Sequence, residues 1–392
     1  MQRFSTPRLM VQHLCPEFPV TCLRPESAAT SARLFLEHFP GRVLYAVKTN
    51  PSPVILRAVC DAGVRAFDVA SVAEIEAVAR HCPGSRMCFM HPVKSREAIR
   101  SAYYDFGVRD FAVDCEEELD KILDVTGDPS DLGIFVRLTV PNRFACMQLV
   151  SKFGADMRRA PALLLNARRA SRTLGVTFHV GSQTLAPVAY LEAMKVVDEA
   201  IRRAGVLIDV VDVGGGFPVT YPGMEAPPLE SFLTTIADGF EQMLVSETTE
   251  LWCEPGRAIS APAGVVVARV ELRKEQTLYL NDGTYGGLFD AGGPGFIYPT
   301  RLLRREKRHA AEMLPFALFG PTCDSIDAMP GPFILPADVR EGDYIEFGML
   351  GAYSQTMRTA FNGFDAHETV LVDELDEPRQ ACFHVSDEAA TV

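Results

Sequence analysis

Two kinds of apolar pattern alternate between residues 24 and 262. Short runs of β-branched and aromatic residues predict buried strands, and longer stretches with apolar residues every three or four positions predict amphipathic helices packed on them. A helical stretch at 27–38 comes first. Val43-Leu44-Tyr45-Ala46-Val47 is then the opening strand, and it stops on Lys48. The strand at 65–70 leads into a helix at 71–80, where Ser71 and Glu74 form a Ser-x-x-Glu capping box. The pattern continues with strands at 86–91, 110–114, 133–140 and 176–181, followed by helical stretches at 94–104, 116–125, 161–174 and 187–204. Strands at 209–213 and 251–254 complete the series.

Eight such alternations over roughly 240 residues fit a (β/α)8 barrel in count and length. A doubly wound open sheet shares the alternation, and the polar residues separate the two readings. Lys48, Asp68, Asp114, Arg137, His179, Gly214, Gly215, Gly216, Glu254 and Arg257 all fall at or just past the C-terminal ends of predicted strands. In a barrel those ends converge on one mouth, where activity lies.

Beyond residue 262 the pattern changes. Stretches at 265–272, 277–281, 316–319 and 344–347 read as strands joined by Gly/Pro-rich links, so a mostly β C-terminal domain follows. Pro19-Val20-Thr21-Cys22-Leu23 has no place in the barrel count and is assigned to that domain. The predicted division is 24–262 for the barrel and 1–23 plus 263–392 for the β-rich domain. The acidic tail past Phe364 is expected to be loop-like at its end.

Charge narrows the function. A formal net charge of -13 argues against nucleic acid or an anionic membrane as partner, while leaving room for a local basic pocket. The ten cysteines include no Cys-x-x-Cys pair and read as reduced thiols of a cytosolic protein. No metal-ligating cluster, membrane span or signal peptide is expected, and the predicted location is cytoplasmic.

The chemistry begins with Lys48. A strand ending on a lysine puts an amine at the rim of a core, where desolvation lowers its pKa and favours Schiff-base formation; the alternative is a lysine snorkelling to solvent. Gly214-Gly215-Gly216 allows backbone amides to approach a phosphate, or makes a tight turn. Glu254-Pro255-Gly256-Arg257 offers a carboxylate and a guanidinium, which suit an anion site or a mutual salt bridge. His179-Val180-Gly181-Ser182 adds an imidazole and a hydroxyl. Lysine, phosphate cradle and carboxylate together fit pyridoxal phosphate, whose pyridine nitrogen needs an acid to keep it protonated.

These stretches resemble the barrel motifs of the fold-type III pyridoxal phosphate decarboxylases, which include the ornithine, lysine, diaminopimelate and biosynthetic arginine enzymes. The resemblance rests on Tyr45-Ala46-Val47-Lys48-Thr49-Asn50-Pro51, Phe67-Asp68-Val69-Ala70-Ser71, His179-Val180-Gly181-Ser182, Gly214-Gly215-Gly216-Phe217-Pro218 and Glu254-Pro255-Gly256-Arg257. Gly320-Pro321-Thr322-Cys323-Asp324-Ser325 and Gly351-Ala352-Tyr353 resemble the C-terminal motifs, so the match runs in order over about residues 19–364.

The resemblance implies a role for each matching position. Lys48 would bond to the cofactor, Glu254 would pair with its pyridine nitrogen, and His179 would stack on its ring. Ser182, Gly214, Gly215, Gly216, Arg257 and Tyr353 would hold the phosphate, with Asp68 and Arg137 near the lysine–cofactor bond and the ring oxygen. Cys323, from a second subunit, would protonate the substrate's α-carbon after CO2 leaves. Asp324 would meet the distal ammonium of a basic amino acid, with Tyr353 also near the substrate. The site would be shared across a head-to-tail homodimer.

L-Ornithine, decarboxylated to putrescine for polyamine biosynthesis, is the expected substrate, because Asp324 stands where diaminopimelate enzymes usually carry glutamate. Two departures bear on this. Eukaryotic ornithine decarboxylases carry a Tyr-Asp pair after the Asn-Asp-Gly motif, whereas here Asp290 comes about four positions early. His91-Pro92 also stands where Asn-Pro is common. Lysine, diaminopimelate or carboxynorspermidine decarboxylation stay open, as does a non-catalytic cofactor-binding homologue.

Overall fold

The computed structural model describes residues 1–127, 129–148, 152–304 and 309–375. The predicted loop-like end of the tail lies outside the described residues from 376 onward. The chain divides into two compact units, and each is described separately.

The first unit, residues 32–218 and 227–256 among those described, is a closed barrel of eight parallel strands. In chain order they are Arg42–Ala46, Ala66–Val69, Arg86–Phe89, Asp110–Val113, Gly133–Arg137, Thr173–Thr177, Val210–Asp212 and Glu250–Cys253. The last strand closes the ring on the first through Trp252 opposite Arg42 and Cys253 opposite Val43. Helices Pro53–Asp61, Val72–His81, Glu116–Thr126, Ala160–Ala170, Val188–Ala204 and Leu229–Glu241 are among those that follow strands. Leu44, Ala66, Cys88, Ala112, Phe135, Val210 and Trp252 cluster in its interior. At the N-terminal ends of the strands, Arg86 donates to both oxygens of Asp110 at 2.6 and 2.9 Å and stacks over Trp252 at 4.6 Å. Charge is thereby neutralised at the end of the barrel away from the strand-end residues.

The sixth strand starts earlier than the pattern predicts. Residues 173 and 174, assigned to the preceding helix, are strand, and the helix stops at Ala170. Gly175 sits inside this strand, where the Phe135 ring fills the space of a side chain: a Cβ there would lie 2.3 Å from that ring. His179 consequently lies two residues past the strand. The helix Leu229–Glu241 completes the seventh βα unit and was not predicted.

The second unit comprises residues 1–31, 219–226 and the described residues from 257 to 375. The predicted boundaries differ from this division: residues 24–31, 219–226 and 257–262 go with the sheet unit rather than the barrel. Its nine-stranded sheet runs Arg3–Phe4, Glu368–Val372, Val20–Leu23, Gly264–Lys274, Thr277–Leu280, Met313–Phe319, Ala328–Pro336, with Tyr344–Phe347 pairing both Gly264–Lys274 and Thr300–Leu303. The N-terminal strand Val20–Leu23 joins it, antiparallel to Gly264–Lys274 and parallel to Glu368–Val372. Helix Pro7–Leu14, capped by the Thr6 hydroxyl, places Met10 and Val11 in the core of this sheet. Neither that helix nor the strands Arg3–Phe4, Thr300–Leu303, Ala328–Pro336 and Glu368–Val372 were predicted. They owe their order to pairing with distant strands, which local patterning does not show. Among the described residues no helix is long and apolar enough to cross a membrane.

Candidate active site

In the barrel unit the opening strand ends at Ala46, and Lys48 sits on the 3-10 turn Val47–Thr49. The Lys48 side chain is 41% exposed. Its amine meets Asp68, a buried carboxylate at the next strand end, with Nζ 2.7 Å from Oδ2. Glu74 lies beside this pair. The Ser71 hydroxyl accepts the Glu74 amide at 3.3 Å, and Glu74 Oε2 accepts the Ala70 amide at 2.8 Å, so the capping box closes one residue before Ser71. Burial, with Asp68 adding, pushes the Glu74 carboxyl up to about 7 against the opposing pull of the Ala70 amide and Lys48.

The last two barrel strands bring two further carboxyls together. Asp212 and Glu254 are both buried, and the Asp212 Oδ2 and Glu254 Oε1 atoms have no hydrogen-bond donor. Burial raises Glu254 well above its ordinary value, and the Asp212 and Asp68 charges raise it further. Burial likewise pushes Asp212 up to about 6. The Asp212 Oδ1 atom accepts the Gly214 amide at 2.9 Å, and the Glu254 amide donates to the Gly214 carbonyl at 2.8 Å.

The three glycines are tightly confined. Gly214 and Gly216 have φ of +68° and +109°. A Cβ on Gly214 would lie 2.0 Å from the Phe178 carbonyl oxygen, and one on Gly216 2.6 Å from the Gly181 oxygen. Only glycine meets both demands. A Cβ on Gly215 would stand 3.3 Å from His179 Nε2, so the imidazole lies directly over this turn. His179 Nδ1 accepts the Gly181 amide at 3.0 Å. Desolvation, then the Arg137 and Lys48 charges, hold the ring well below its ordinary pKa, in the neutral form. Ser182 opens the short strand Ser182–Thr184, and the Thr184 amide is bonded to the Gly216 carbonyl at 3.0 Å.

Arg137 ends its strand with its guanidinium 5.6 Å from the Phe153 ring centre, and the His91 ring meets the same phenyl edge-on at 5.2 Å. Asp114 has a different task. It accepts the Gly154 amide at 2.9 Å and pins the loop after the fifth strand.

The sheet unit holds the remaining candidates in two groups. Arg257 is buried, and its NH1 donates to Asp290 Oδ2 at 2.8 Å and to the Tyr221 hydroxyl at 3.3 Å. Its guanidinium lies 4.7 Å from the Tyr353 ring centre and 5.2 Å from that of Phe296. The mutual salt bridge considered for Glu254 and Arg257 therefore gives way to a different acid for Arg257, namely Asp290. In the second group, Cys323 is exposed and Asp324 half-buried on one loop. Asp324 Oδ2 accepts the Tyr285 hydroxyl at 2.6 Å, which with the Ile326 amide holds its carboxyl below the ordinary value. The Cys323 amide donates to Asn362 Oδ1 at 3.1 Å. Asp327 anchors the loop base, accepting the amide and hydroxyl of Thr284 on one oxygen and those of Thr322 on the other.

Pyridoxal phosphate fits the barrel residues on two observations. Glu254 keeps a buried oxygen with no donor, as a carboxyl awaiting a ring nitrogen would. The glycine turn, stripped of side chains and placed under His179, offers backbone amides to an anion. The arrangement is that of a barrel enzyme built for an aromatic, phosphate-bearing cofactor beside a lysine.

Comparison with known proteins agrees. Residues 26–261 match the pyridoxal binding domain of the pyridoxal-dependent decarboxylases. The chain is 33% identical over 353 residues to a lysine/ornithine decarboxylase of Selenomonas ruminantium, covering 87% of this chain and 86% of that one. Among solved structures, the Paramecium bursaria Chlorella virus arginine decarboxylase bound to agmatine superposes with a TM-score of 0.80 at 28% identity, covering 93% of this chain and 98% of its own. The lysine/ornithine decarboxylase of Vibrio vulnificus complexed with putrescine gives 0.79 at 30% identity, covering 93% and 96%. The chain belongs to the pyridoxal-dependent decarboxylases, and its cofactor is pyridoxal phosphate.

Sequence reasoning missed Asp212, Glu74 and the partner of Arg257. Asp212 carried a signal, an acid ending an apolar strand run immediately before three glycines. Glu74 was read only as a helix cap. Nothing local connects Asp290 with Arg257, 33 residues away.

Proposed function

We propose that this chain decarboxylates a basic L-amino acid, with L-ornithine giving putrescine as the first choice, in the cytoplasm and in the service of polyamine biosynthesis. Asp324 carries the choice of substrate. Its carboxyl, kept ionised by the Tyr285 hydroxyl, stands next to Cys323 on an exposed loop and is suited to a distal ammonium. A substrate with a distal carboxylate would be repelled there. The relative named lysine/ornithine decarboxylase and the putrescine-bound neighbour support the same class.

Pyridoxal phosphate, when bound, supplies the electron sink that lets the Cα–carboxylate bond break. Lys48 is the residue that bonds to it, with Asp68 orienting the lysine amine. Glu254 serves the ring nitrogen, with the buried Asp212 beside it. His179 covers the ring, with Arg137 near its oxygen. Ser182, Gly214, Gly215, Gly216, Arg257 and Tyr353 bind the phosphate. Cys323 delivers a proton to the α-carbon once CO2 has left. Tyr353 and Asp324 line the path of the substrate side chain. Cys323 and Asp324 act on the Lys48 of a partner subunit, in a head-to-tail homodimer.

Lysine is the second reading, favoured by the engagement of Asp290 with Arg257. That contact occupies the one acid near the position where relatives carry a second aspartate for the amine. CO2 release from ornithine, lysine, arginine and diaminopimelate tests the proposal. Turnover of ornithine above the others is expected, and release from neither ornithine nor lysine would overturn it.

A further inference from the structure

Asp290 is the acid that sequence comparison leaves out of register, and the sheet unit gives it a definite partner. The Asp290 and Arg257 side chains are 4% and 5% exposed, and they meet at 2.8 Å. The Asp290 backbone is fixed as well, because its carbonyl accepts the Phe296 amide at 2.8 Å. Tyr221 reinforces the arrangement. Its hydroxyl accepts from the same Arg257 nitrogen at 3.3 Å, and its ring packs on Phe296 and Tyr298 with centroids 5.4 and 5.6 Å apart. Phe296 and Tyr353 line the guanidinium on their own account. An arginine among aromatic rings can rotate about its long side chain, whereas one tied through NH1 to a buried carboxylate has its plane set.

We infer that Asp290 is a positioning residue, which aims the Arg257 guanidinium for its contact with the cofactor phosphate. The inference rests on the reading of Arg257 as a phosphate ligand given above. It excludes a substrate role for Asp290, because a carboxylate only 4% exposed and spent on arginine is not available to a diamine.

A purely structural ion pair would support the fold without favouring the phosphate. Binding of pyridoxal phosphate and of pyridoxal, which lacks the phosphate, separates the two. Both are titrated into the full-length protein after removal of cofactor, and fluorescence gives the dissociation constants. Asp290→Ala is expected to weaken pyridoxal phosphate by about tenfold or more, the scale of one hydrogen bond to a charged group, and pyridoxal by less than about threefold. Asp290→Asn keeps the size and one acceptor; it should fall between wild type and alanine and serves if the alanine variant does not fold. Equal weakening of both ligands would overturn the inference in favour of a structural pair. Tighter pyridoxal phosphate binding in both variants would overturn it too, since Asp290 would then only be screening the arginine charge. Arg257→Ala is the separate control. If it leaves the preference for the phosphorylated ligand intact, the phosphate reading of Arg257 fails whatever Asp290 does.

Discussion

Lys48 Nζ and Asp68 Oδ2 stand 2.7 Å apart, one on a half-exposed side chain and the other on a carboxylate that is 3% exposed. The asymmetry matters. Asp68 is closed off from solvent, whereas the Lys48 side chain stays in contact with it. A lysine so placed is oriented without being trapped, as a residue that must exchange partners in every turnover requires.

Replacing Lys48 with alanine should abolish covalent cofactor attachment and reduce decarboxylation by at least about a thousandfold, the scale seen for an essential covalent group. Borohydride reduction followed by mass spectrometry should find the cofactor on wild type and not on the variant. Cofactor retained covalently by Lys48→Ala would show that another amine carries it.

The buried acid pair predicts a pH dependence in the cofactor-free protein. Asp212 is raised from 3.8 to about 6, so the folded chain binds more protons than the unfolded one between those values. The Asp212 contribution is therefore present below pH 4 and is lost as pH rises toward 6, by about 3 kcal/mol if the shift is fully realised. Thermal unfolding should show Asp212→Asn gaining on wild type steadily across this window. Glu74→Gln should gain in the same sense up to about pH 7. A stability difference that does not change with pH would contradict the assignment.

If Asp324 reads the distal ammonium, Asp324→Ala should raise KM for the diamino acid about 10- to 100-fold, the range for a charge-assisted hydrogen bond, and leave kcat less affected. Tyr285→Phe removes only the orienting hydroxyl and should act in the same direction but more weakly. Steady-state kinetics on ornithine and lysine would reveal a kcat effect instead, were Asp324 engaged in the chemistry.

A shared site makes a quantitative demand on mixed subunits. Lys48→Ala and Cys323→Ala homodimers should each be nearly inactive. After equal mixing and exchange, half the dimers are mixed and each of those has one intact site, so about a quarter of wild-type activity should return. No recovery despite proven subunit exchange would rule out a site built from both chains.

Periodicity and strand-end chemistry made much of this protein legible. The eight-fold alternation predicts the barrel because strand and helix periods are local properties, and the polar residues at the strand ends follow from the same registers. Lys48, Asp68, His179 and Glu254 could be named for that reason. The apolar run Val20-Thr21-Cys22-Leu23, orphaned in the barrel count, could likewise be assigned to the sheet.

Only the tertiary structure decided which acids act on which cations and on each other. The pairing of Arg257 with Asp290, the shared burial of Asp212 and Glu254, and the holding of Asp324 by Tyr285 join segments far apart in the chain. Their energetics depend on desolvation, which a linear pattern does not contain. The same holds for Gly175, which is required inside its strand because the Phe135 ring occupies the space of its missing side chain.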